Sequence, residues 1–144
     1  PFDLKAREKM AEASIVAGVA FSHPRTTGSH ACSFPLTNIY GLPHGEACAF
    51  TLDYFLKFNA EHADGDGRIT ALAKDCGFND AFEMADEITA MKKRMGMRCK
   101  LSEIGCETDE QIDELTKKSM SMLMTRNPIT LTQKDIKEMY IKLK

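Results

Sequence analysis

The sequence predicts an all-α fold. Apolar residues recur at helical spacing along most of the chain, Pro and Gly break that spacing into short segments, and only residues 128–131 (PITL) have β character. With 144 residues, 43% of them hydrophobic, the chain is long enough for one domain with its own core, read here as residues 1–144.

Residues 3–21 place Leu4, Met10, Ala11, Ile15, Val16, Val19 and Ala20 at helical spacing, with small residues thickening towards the end. They predict a helix that begins amphipathic and becomes buried. Pro24 and Gly28 then act as breakers in a turn over 23–28, before an apolar stretch from 30 to 40. Leu42-Pro43-His44-Gly45 breaks the chain again. Residues 45–59 lack a regular polar face, the pattern of one central helix covered on most sides, with Phe50, Tyr54, Phe55 and Phe58 in its core. A polar loop over 61–67 leads to three shorter amphipathic helices near 68–76, 79–95 and 108–120. The last helix is the clearest: after the turn at Asn127-Pro128, Thr132 caps it with Asp135 at N3, and Ile136, Met139 and Tyr140 face inward.

Composition removes several function classes. The net charge is -2 and the basic residues are scattered, so no electrostatic footprint for nucleic acid exists. No apolar run reaches the roughly 20 residues of a membrane helix, and no signal-peptide layout opens the chain. Five cysteines, an odd number without a C-x-x-C pair, point to a reduced, cytoplasmic setting. Pro1 follows no initiator Met, which reads as a processed or truncated chain.

Few residues can do chemistry. The chain has no Gly-rich phosphate loop, no G-x-S-x-G elbow and no H-E-x-x-H pair, so histidine is the place to look. His30 begins a buried stretch and His44 lies between Pro43 and Gly45 at the next helix start. Two histidines at neighbouring helix starts can converge on one point, and neutral imidazole is the commonest ligand for zinc, iron and nickel. Two rings are an incomplete site. The nearest carboxylate, Glu46, adds a ligand only if it turns inward. On spacing alone, two partly buried, hydrogen-bonded histidines stand as the other reading.

The stretch from Gly18 to Asn59 resembles the signature of the iron-containing alcohol dehydrogenase family. The resemblance rests on Gly18, Ala20 and Phe21, then His30, Pro35-Leu36, Pro43-His44-Gly45 and Phe58-Asn59, and the tail NPITLTQKDIKEMY is similar to the family's closing helix. It implies the family's helical C-terminal domain, with His30 and His44 as metal ligands facing an N-terminal nucleotide-binding domain. It further implies a divalent cation, Fe2+ or Zn2+, as Lewis acid on an alcohol oxygen, NAD(P) as hydride carrier, a small alcohol or aldehyde substrate, and a homo-oligomer. The family's D-x-x-x-H pair and cofactor loop have no match in these residues. The chain therefore reads as a fragment, inactive alone, holding metal weakly if at all. Four residues after His30, where many members carry a second His, stands Phe34, which cannot relay a proton. RTTGSHACSFPLT resembles a branch that reduces small phosphonate aldehydes, in which Arg25 could meet the anion. The competing reading is a stand-alone helical association module without catalysis. That module predicts a closed face around the histidines, whereas the dehydrogenase reading predicts an open one.

Four other features read as structural. Asp64, Asp66 and Gly67 have the look of a calcium loop, but the register fails at His62 and Ala73, so the loop reads as solvated. Cys32, two residues after His30, reads as packing rather than a soft ligand. The nine methionines read mainly as core filling, and the basic run 91–100 as a solvated face.

Overall fold

The computed structural model describes residues 2–144, so Pro1 and the reading placed on it lie outside the described residues. Among the described residues the chain forms eight α-helices and no strand: α1 (Leu4–Phe21), α2 (Gly28–Tyr40), α3 (His44–Phe50), α4 (Leu52–Ala63), α5 (Arg68–Asp75), α6 (Ala81–Arg94), α7 (Asp109–Ser119) and α8 (Gln133–Lys142). Two 3-10 turns, Leu101–Ile104 and Met122–Arg126, join the later helices. The all-α expectation holds, and residues 128–131 form a bend and irregular backbone rather than a strand.

Helix α2 is the hub. It packs against α3, α4, α7 and the turn at Met122–Arg126. Its buried Ala31, Cys32 and Leu36 join Phe50 of α3, Phe55 of α4, Ile112 and Leu115 of α7, and Ile136, Met139 and Tyr140 of α8 in one apolar cluster. Local chemistry sets the helix ends. Thr108 and Thr132 each accept the N3 amide while the N3 side chain, Gln111 or Asp135, accepts the cap's own N–H. Asp80 accepts the amides of Phe82 and Glu83 at the start of α6. Gly41 ends α2 at φ 68, where its N–H and that of Leu42 turn back to the last carbonyls.

Gly28 is no breaker. It is the first residue of α2, and a Cβ there would lie 2.5 Å from the Phe55 ring. The expected single helix over 45–59 is two helices bent at Thr51, whose backbone leaves the helical region at φ -111, ψ 2. The cause is tertiary. The Ser29 hydroxyl donates to the Cys48 carbonyl at 2.6 Å, taking the acceptor that a continuous helix would give to the amide of Leu52. The loop after α4 is also shorter than expected, because α4 runs on to Ala63 with His62 stacked on Phe58.

The burial expected for the end of α1 is not found. Ile15, Val16, Val19 and Phe21 are all exposed, and no residue of the helix is buried. Periodicity names the residues that prefer burial, and none of the other described elements packs over them. The methionines divide: Met124 and Met139 are core, while Met10, Met91, Met95 and Met122 are exposed. Nor is the basic run simply solvated, since Lys92 is buried against Asp53 and Arg98 is paired with Glu46.

Candidate metal centre

The site forms where α3 lies on the N-terminal half of α2. His30 is in the first turn of α2, His44 opens α3, and Cys48 follows His44 by one helical turn on the same face. The Cys48 Sγ lies 3.4 Å from His30 Nδ1 and 3.6 Å from His44 Nε2. The two imidazoles meet edge to face with centroids 4.8 Å apart. Their donor atoms and the sulfur all lie within 4.8 Å of one another, and among the described residues this is the one such group with ligating chemistry.

Three contacts hold that arrangement. Ser29 binds the Cys48 carbonyl, as above, and so ties α2 to α3 at the cluster. Ser33 Oγ donates to the His30 carbonyl at 2.7 Å within α2. Glu46, in the first turn of α3, receives the Arg98 backbone N–H at 3.0 Å and its guanidinium at 2.8 Å on each carboxylate oxygen. The Arg98 hydrogen bonds hold the Glu46 carboxyl down at about 2. Glu46 is therefore committed to Arg98 rather than turned toward the histidines.

The donor set fits a borderline divalent cation. Burial first, and then the neighbouring His44, lower the His30 pKa, so its ring is neutral near pH 7 and keeps a lone pair for a metal. Phe34, one turn after His30, meets the His30 ring edge to face at 5.2 Å and lies 6.0 Å from His44. It walls one side of the cluster and carries no proton. His44 and Phe34 are both exposed, so the face is open. Beside it lies a shallow pocket lined by Arg25, Thr26, Thr27, Ser29, His30, Cys48 and Leu52.

The structure thus brings His30 and His44 together and adds Cys48, which the reading of the sequence left out. Its signal was the i, i+4 spacing from His44. Cys32 is elsewhere: it is fully buried beside Tyr140 and Ser119, and burial pushes its thiol up to about 12. The calcium-like loop is used for capping. Asp64 accepts the amides of Ile69 and Thr70, and Asp66 pairs with Arg68.

Comparison with known proteins agrees with this architecture. The family model described as "Fe-containing alcohol dehydrogenase family, C-terminal" matches residues 1–143. An alcohol dehydrogenase of Thermococcus barophilus is 33% identical over 141 residues, covering 96% of this chain and 36% of that protein. The solved sulfoacetaldehyde reductase of Bifidobacterium kashiwanohense in complex with NAD+ is 48% identical with a TM-score of 0.92, covering 98% of this chain and 37% of that one. The iron-containing alcohol dehydrogenase of Thermococcus thioreducens is 29% identical with a TM-score of 0.84, over 98% and 38% of the two chains. The chain thus spans little more than a third of the length of these relatives. It belongs to the Fe-containing alcohol dehydrogenase family as that family's C-terminal, all-α part.

Proposed function

We propose that this chain is the metal-holding helical domain of a nicotinamide-dependent dehydrogenase acting on small alcohols or aldehydes in a reducing compartment, with His30 and His44 as ligands of Fe2+ or Zn2+. The observation that carries the reading is the convergence of two imidazoles from different helices, 4.8 Å apart, at an open face. A closed association module has no use for such a face. The five free cysteines accord with the compartment.

When bound, the cation supplies Lewis acidity to the substrate oxygen and NAD(P) carries the hydride. This chain's own residues bind and orient. His30 and His44 offer ring nitrogens, the Glu46–Arg98 pair and the Ser29 bond fix their helices, and Phe34 walls one side without moving a proton. The NAD+ complex of the Bifidobacterium relative supports NAD as the nicotinamide.

The substrate is proposed to be a short aldehyde with a sulfonate or phosphonate tail. Two observations support this: the name of the same relative, and the place of Arg25 on the pocket beside His30, held at φ 69 where non-glycine residues are uncommon. Elemental analysis of the purified protein and of His30→Ala and His44→Ala tests the metal reading. Each variant is expected to hold metal at least about 10-fold more weakly, and full retention by both defeats the assignment. For the substrate, Arg25→Ala is expected to raise KM for sulfoacetaldehyde while leaving that for propanal unchanged. An equal rise for both would exclude Arg25 as the anion's partner.

A further inference from the structure

We propose that the cavity walled by α4, α6 and α8 is a binding site for a small organic cation, an ammonium carried on an aromatic or other apolar body. It shares no residue with the metal centre, and the inference goes beyond the dehydrogenase reading.

The walls follow from helical spacing. Tyr54, Phe58 and His62 stand one turn apart on one face of α4 and form a ladder of rings. The Tyr54 and Phe58 centroids are 6.1 Å apart with planes 17° from parallel, and Phe58 and His62 are 4.4 Å apart. Phe82, in the first turn of α6, adds a fourth ring that is 46% exposed. Glu61 of α4 and Asp135 and Glu138 of α8 line the same space, a cavity of 560 Å³, which suits a small ligand.

Two features set the charge of that ligand. Aromatic faces attract cations, and this ladder already holds one, since Lys142 Nζ lies 5.6 Å from the Tyr54 ring centre. Lys142 thus makes at one end of the ladder the contact that a ligand would make at the other. The carboxylates, in turn, are not used up by the bases around them. Lys57 is committed to Asp86 at 2.5 Å, and Asp135 to the cap of α8. Among the described residues, ion pairing reaches Glu138 only through the exposed Lys134 at 3.8 Å, a pair of little worth, and does not reach Glu61. All three carboxylates bear on the ladder: after burial, the charges of Glu138, Asp135 and Glu61 push the Tyr54 hydroxyl up. An anion would be repelled here, and a neutral apolar ligand would leave the carboxylates unanswered. A cation on an apolar body satisfies both walls, its body on Phe58 and Phe82 and its ammonium towards Glu61 and Glu138.

Calorimetric titration of the purified protein with phenethylammonium, phenylacetamide and phenylacetate tests this, because the three share an aromatic body and differ in charge. Phenethylammonium is expected to bind saturably and to raise Tm, with phenylacetamide at least about 10-fold weaker and phenylacetate not bound. Two sets of substitutions at exposed side chains locate the site without touching the core. Glu61→Gln combined with Glu138→Gln, and separately Phe82→Ala, should each weaken phenethylammonium at least about 5-fold. His30→Ala should bind it as wild type does, whatever becomes of the metal reading. No saturable binding, equal binding of the amide, or full affinity in both sets of variants overturns the site. Loss of binding in His30→Ala would put the ammonium at the metal centre and overturn it as well.

Discussion

Glu46 shows how one side chain stabilises the site without joining it. Its folded pKa of about 2 lies below the ordinary carboxylate value, so its ion pair with Arg98 contributes stability that is complete above the unfolded value. That contribution is lost as the pH falls through the folded value. Denaturant melts of wild type and Glu46→Gln are therefore expected to differ by a constant amount above about pH 5 and to converge towards about pH 2. A difference that stays the same at every pH would mean that the charge of Glu46 does no stabilising. The thiols divide just as sharply. Cys32, buried and with its pKa raised to about 12, should resist alkylation in the native protein, whereas the half-buried Cys48 should react. His30 and His44 were legible because their motif and their positions at helix starts are local. Arg98 as the partner of Glu46 was not, since it lies far along the chain and charge pairing across that span leaves no local pattern.

Among the elements, α2 depends on a glycine for its docking. In an exposed helix, Gly→Ala stabilises by about 0.5–1 kcal/mol because it removes backbone freedom from the unfolded chain. At Gly28 the sign should reverse. The new Cβ would meet the buried Phe55 ring at 2.5 Å and Leu131 at 3.2 Å, an overpacking that costs about 1–3 kcal/mol. Gly18→Ala in α1, where nothing lies within 4 Å, is the control and should raise helicity. Thermal melts of the two variants decide it, and a Gly28→Ala protein as stable as wild type would mean that α2 can back away from α4 freely. The same contrast explains what the sequence could tell. Helices α6, α7 and α8 were legible because caps such as Thr132 with Asp135 are written within four residues. The bend at Thr51 was not, because it comes from Ser29 on another helix. The exposed end of α1 was misread because apolar spacing says which face prefers cover and not what provides it.

The whole molecule is held together in two different ways. Around α2, large side chains from α3, α7 and α8 fill one core. The pair α4 and α6 instead meets through the buried Ala81 and Ala85 and a polar pin in which Lys92 Nζ donates to Asp53 at 2.7 Å and to the Phe50 carbonyl at 3.3 Å, while Thr89 donates to the same carboxylate. Small side chains give little apolar area, so this seam leans on an ion pair whose partners satisfy one another. Removing one partner strands a buried charge, and Lys92→Ala is expected to cost about 3–5 kcal/mol. The loss should also reach the metal centre. Arg98, which clamps Glu46 on α3, follows directly from the C-terminal end of α6, so a loosened α6 frees the turn that carries His44 and Cys48. Hydrogen exchange on Lys92→Ala should then show faster opening of α5 and α6 with α7 and α8 still protected, together with weaker metal binding. Uniform acceleration across every helix would mean that the pin supports the fold as a whole, and unchanged metal affinity would mean that α3 keeps its place without α6.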